Sequence, residues 1–85
     1  MNGVVKKLIG EITELAYEIT NKTKHDVLVR YSGHVNKIEV DIYMDGYSNE
    51  KFSIGLLNLY INSEGRPISK LKQTKRKLKK LLEEE

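Results

Sequence analysis

Few side chains in this chain of 85 residues stand at spacings that catalysis or metal binding requires. The two histidines, His25 and His34, fall near opposite ends of a short β-branched stretch and share no ligand spacing with a carboxylate cluster. Surface or turn positions are the expectation for both. With no cysteine, thiolate metal sites, thiol nucleophiles and disulfides drop out together. Glu39 and Asp41 alternate within HVNKIEVDIYMDG and would lie side by side on one strand face, where they could hold Mg²⁺ beside a phosphate. Metal-dependent phosphodiester cleavage would also need an acid and a lysine on the following strand, and Phe52 to Ile61 contains neither. Gly46, Gly55 and Gly65 are isolated and build no phosphate-cradling loop. The sequence therefore predicts no enzyme, no catalytic residue, no metal site and no cofactor.

The chemistry that remains is electrostatic. From Arg66 to Leu82 there are eight cations and no acid, whereas residues 1 to 65 hold seven cations and nine acids, so the net charge of +3 originates in one segment. Within it Ile68, Leu71, Leu78, Leu81 and Leu82 recur at three- and four-residue steps and form one apolar stripe of a helix. Lys70, Lys72, Arg76, Lys77, Lys79 and Lys80 then stand around the rest of the cylinder. Lys75 falls at the edge of the stripe, where its stem can cover apolar surface while the ammonium reaches water. These seven cations are the candidate binding residues for nucleic-acid phosphate or for an acidic partner. Ser69 is the expected N-cap, which sets Lys70 and Lys72 at the positive end of the helix dipole and Glu83, Glu84 and Glu85 at the negative end. Each charge so placed costs about 0.3–1 kcal/mol at low salt, so helix stability alone does not explain the pattern. Sequence readout is not implied, because lysines position a protein on a backbone while base discrimination leans on bidentate side chains, here only Arg76 and Gln73.

The elements that must present this helix follow from periodicity. Asn2 is placed to cap a first helix, about 3–21, whose Val5, Leu8, Ile9, Ile12, Leu15, Ala16 and Ile19 make a broad apolar face. Gly10 inside it reads either as a close approach of another element or as a tolerated surface glycine. VLVRY predicts a strand, about 26–32, followed by a turn at Ser32 to His34. In the second strand, about 35–44, Ile38, Val40, Ile42 and Met44 alternate with Lys37, Glu39, Asp41 and Tyr43. Asp45 and Gly46 turn the chain, with Tyr47 to Glu50 extending the loop. The third strand, about 51–61, changes phase from Phe52, Ile54 and Leu56 to Leu57, Leu59 and Ile61, which predicts a β-bulge near Gly55 to Leu57. The last helix is expected at about 68–83. One sheet face must be covered and the two helices are the available cover, so a single two-layer α+β domain, α-β-β-β-α with an antiparallel sheet, is expected. Its open face would carry Leu28, Arg30, Lys37, Glu39, Asp41 and Tyr43. Tyr43 and Tyr60 on that face read as ordinary strand-surface tyrosines, since Glu39 and Asp41 beside them would repel phosphate.

This order of elements resembles the double-stranded-RNA-binding domain. The stretch HVNKIEVDIYMDG is similar to that family's middle strand: His34 in a Gly-containing loop, alternating Ile38, Val40, Ile42 and Met44, then Gly46. Ser69, Lys70 and Lys72, with Lys75 and Arg76 a turn later, are the nearest match to the Ser-Lys-Lys type opening of its last helix. The resemblance implies phosphate contacts from those lysines. The chain departs from the family in its single approach glycine, Gly65, in lacking the helix alanines, in a longer third strand and in lacking the loop proline. Small size and a concentrated charge field also resemble anti-CRISPR and similar host-takeover proteins of phages and mobile elements. That resemblance implies inhibition of a larger host protein or ribonucleoprotein machine, with the sheet face or the Tyr47 to Glu50 loop adding contacts. A cysteine-free chain without a membrane-length apolar run or a secretory leader fits a reducing cytoplasm and no membrane partner. A homodimer is compatible with either resemblance, although the seam Leu71, Thr74, Leu78 and Leu81 reads as core.

Overall fold

The computed structural model describes residues 3–46, 53–61 and 66–84. Helix α1 (Gly3–Lys22) is followed by β1 (Asp26–Ser32), β2 (Lys37–Tyr43), β3 (Ile54–Tyr60) and helix α2 (Arg66–Glu83). The three strands form one antiparallel sheet in the order β1-β2-β3. Helix α1 lies over β1, α2 lies over β3, and the two helices pack along each other. The expected two-layer α+β architecture is therefore the observed one.

Alternation decides which side of the sheet is inside. Ile38, Val40 and Ile42 of the central strand are buried, and they are flanked in register by Val29 and Leu57 at Val40 and by Tyr31 and Leu59 at Ile38. Against them α1 sets Val5, Leu8, Ile12, Ala16 and Ile19, and α2 sets Leu71 and Leu78. Burying a side chain of this size contributes roughly 1.5–3 kcal/mol, so α1, β2 and α2 hold most of the stability. Thr74 is buried in the α2 seam without penalty, because its hydroxyl donates to the Lys70 carbonyl (3.0 Å). Leu71, Thr74, Leu78 and the half-buried Leu81 are thus core, as their spacing predicts.

The predicted bulge is present. Val40 faces Leu57 and Asp41 faces Gly55, so Leu56 is the extra residue of β3 and the inward phase is restored after it. Ile54, opposite the buried Ile42, nevertheless stays 54% exposed at the start of an edge strand that is paired on one side only. Phe52, expected in alternation with it, and the Tyr47 to Glu50 loop lie outside the described residues, as does Asn2 at the expected cap of α1.

Several boundaries differ from the periodicity. Met44 does not continue the inward face of β2: the strand ends at Tyr43, and Met44 is exposed in the turn, where Asp45 (φ 62°) and Gly46 (φ 102°) reverse the chain. Val35 and Asn36 likewise belong to the β1–β2 turn, with Asn36 left-handed (φ 52°) and its side-chain Oδ1 accepting from Tyr31 Oη (2.6 Å). Short polar side chains tolerate that conformation, which ends the ladder before alternation does. Helix α2 opens at Arg66, not near Ser69, so Ser69 is a helical residue and not the N-cap. Pro67 is buried in the first turn, where its missing N–H removes no hydrogen bond and its fixed φ suits a helix start. Gly10 is a surface glycine, since a Cβ built there meets nothing within 4 Å.

Candidate anion-binding groove

The apolar stripe fixes the azimuth of α2. With Leu71, Thr74 and Leu78 turned into the core, Lys70, Lys72, Arg76, Lys77, Lys79 and Lys80 are all exposed, and none forms an ion pair within the described residues. Other acids stand away from this helix. Glu39 lies opposite Arg30 and Asp41 opposite Leu28 on the open sheet face, and Lys37 places its ammonium 5.2 Å from the Tyr60 ring centre. That face carries the residues expected of it. Glu39 and Asp41 share it, but no group of three or more metal-ligating side chains occurs among the described residues.

Lys75 is different from its six neighbours. Its Nζ donates to Glu11 Oε2 of α1 at 2.9 Å, and each side chain is about one-third exposed (30% and 32%). The hydrogen bond from Lys75 holds the Glu11 carboxyl below its ordinary value of 4.5 despite partial desolvation, and the charges of Lys75, Lys7 and Lys79 push the same way. The seventh candidate cation is therefore engaged inside the protein, where its bond links the two helices.

The helix pair encloses an open groove of about 480 Å³. One wall is Lys72, Lys75, Arg76 and Lys79 of α2; the other is Val4, Lys7, Leu8 and Glu11 of α1. A smaller depression of about 230 Å³ lies on the outer side of α2, lined by Gln73, Arg76, Lys77 and Lys80. Arg76 borders both, and Lys70 borders neither. Farther along α1 a third depression of about 220 Å³ collects Glu11, Glu14 and Glu18 against Lys75 and Lys79. The groove is thus cationic at one end and acidic at the other, with Glu11 at the changeover.

Two participants escaped the sequence. The periodicity of α1 puts Lys7 and Glu11 on its polar side, and nothing local says which flank of α1 meets α2. The histidines divide: His34 is exposed, but His25 is buried (5% exposed), and its Nδ1 accepts from the Asp45 amide (2.9 Å). His25 is therefore not a surface histidine. It ties the end of α1 to the β2–β3 turn, with the Lys24–Asp45 ion pair (3.5 Å) beside it.

No family model, no curated protein and no solved structure matches this chain. No helix among the described residues is long and apolar enough to cross a membrane.

Proposed function

We propose that the protein is a non-enzymatic binding module that contacts nucleic-acid phosphates, RNA or DNA, through its basic C-terminal helix. The observation that carries this reading is the fixed outward display of Lys70, Lys72, Arg76, Lys77, Lys79 and Lys80, unpaired among the described residues, by a helix whose seam is locked in the core. Clustered cations held at constant spacing neutralise neighbouring phosphates and release counterions, which gives affinity without sequence readout. The resemblance to the double-stranded-RNA-binding domain adds duplex RNA to the ligands to be tried. The match at Ser69 is weaker in space than in sequence, since that residue lies inside the helix and not at its opening. Titration of labelled duplex RNA, duplex DNA and single strands at low and physiological salt tests the reading, and no measurable binding to all three at low salt would remove it.

A second reading, a phage or mobile-element protein that inhibits a larger host machine, draws on a different surface. On the open sheet face Leu28 (47% exposed) and Tyr60 (51%) stand among Arg30, Lys37, Glu39 and Asp41, a mixture of apolar and alternating charge suited to a protein partner. Co-purification from the native host with one stoichiometric protein would favour it; recovered nucleic acid would favour the first.

A further inference from the structure

The fold sets most cations of α2 along two tracks, with Arg76 shared between them and Lys70 on neither. Lys77 and Lys80 lie on the outer side of the helix, where a partner meets flexible side chains of a single element. Lys72, Lys75 and Lys79 look into the groove against α1, where Lys7 joins them across the gap. The groove therefore offers charge from two elements at once, whereas the outer side offers it from one. An anion already occupies the groove. The Glu11 carboxylate takes the Lys75 ammonium at 2.9 Å and stands where the lining changes from cationic to acidic.

We propose that the α1–α2 groove, and not the outer ridge of α2, seats the phosphate backbone of a single nucleic-acid strand, and that Glu11 is an internal stand-in for phosphate that holds Lys75 and limits the affinity. This rests on the phosphate-binding reading above. Cations on both walls of the groove are reached by a phosphate backbone that enters between the helices, which a single strand does with less bulk of its own than a duplex. Val4 and Leu8 give the cleft an apolar flank for sugar or base. Among the described residues no aromatic side chain lines it, so base stacking adds little and the strand is held by charge. At neutral pH Glu11 is ionised, so an incoming phosphate must share or displace its hold on Lys75. The helical rise of 1.5 Å per residue puts Lys72 and Lys79 about 10 Å apart along the cleft, a spacing that a backbone with several phosphates can bridge.

The neighbours Lys6 and Lys7 make the test sharp, because both are exposed and equally charged but only Lys7 lines the groove. Fluorescence anisotropy of a labelled oligothymidylate at low salt is the assay, with thermal unfolding confirming that each variant is folded. Glu11→Gln should tighten binding by roughly three- to tenfold, as expected from removing one like charge near the site. Lys7→Ala should weaken binding severalfold and Lys6→Ala much less; Lys72→Ala with Lys79→Ala should weaken it more than Lys77→Ala with Lys80→Ala. Equal effects at Lys6 and Lys7, or a larger loss from the outer pair, would overturn the proposal and leave the general phosphate reading standing. No binding of the oligothymidylate by the wild type would also overturn it, and only the further absence of duplex RNA and duplex DNA binding would remove the phosphate reading as well. Tighter binding of a duplex, or displacement of the strand by polyglutamate of equal charge at equal concentration, would overturn the single-strand assignment.

Discussion

The salt dependence of binding can be worked out from the groove before any ligand is identified. Four of its cations, Lys7, Lys72, Arg76 and Lys79, are exposed and form no ion pair within the described residues, and Lys75 is held by Glu11. A single strand that neutralises four charges should give a slope of log affinity against log salt of about −2.8, a loss of roughly fiftyfold between 50 and 200 mM. If the strand instead engaged every exposed cation of the site, adding Lys70, Lys77 and Lys80, the slope would approach about −5 and the same change would cost about a thousandfold. Releasing Lys75 by Glu11→Gln adds one charge and should steepen the groove value to about −3.5. Anisotropy titrations at four or five salt concentrations, with the anion kept constant, read the slope directly. A slope shallower than about −1 would refute the reasoning, since it would mean that fewer than two phosphates meet the cations displayed by α2 and completed by Lys7.

Further expectations concern the scaffold. Gly10→Ala should stabilise the protein by about 0.5–1 kcal/mol in urea unfolding, because the site is an exposed helix interior with open space around the new methyl; destabilisation would show a contact that the geometry lacks. Leu78→Ala removes a fully buried side chain from the seam that orients α2 and should cost about 2–5 kcal/mol, with loss of binding following loss of the fold. The Glu11–Lys75 bond should contribute to stability above the ordinary carboxylate range and cease to contribute as pH falls from about 4.5 through the lowered folded value, because the folded carboxyl binds its proton less readily than the unfolded one. Urea midpoints at neutral and acid pH check this: the gap between wild type and Glu11→Gln should close on acidification, and a gap independent of pH would contradict it.

Much of the fold was legible because its signals are local. Alternation at Ile38, Val40 and Ile42 can be satisfied in only one way by a half-buried strand, and the phase change across Leu56 and Leu57 can be reconciled with one inward face only by a bulge. The stripe through Leu71, Thr74 and Leu78 likewise orients α2 whatever it packs on. Boundaries were less legible where a turn overrides a pattern: Met44 continues the alternation of β2 in sequence, yet the left-handed residues Asp45 and Gly46 have already turned the chain. Ser69 is as good a cap residue as any, but a proline at Pro67 allows the helix to start a turn earlier.

By itself, the sequence determined that the charge of this protein is lopsided, that it is carried by one amphipathic helix, and that a three-stranded sheet and a second helix must support it. Only the tertiary structure decided which of those charges remain available. Lys75 and Glu11 are separated by 64 positions and meet because two helices on the same sheet face bring one flank of each together, which also adds Lys7 to the groove. Periodicity fixes which side of a helix faces the core, but the flank it turns toward a neighbour depends on the packing of both, and no short window of residues contains that information.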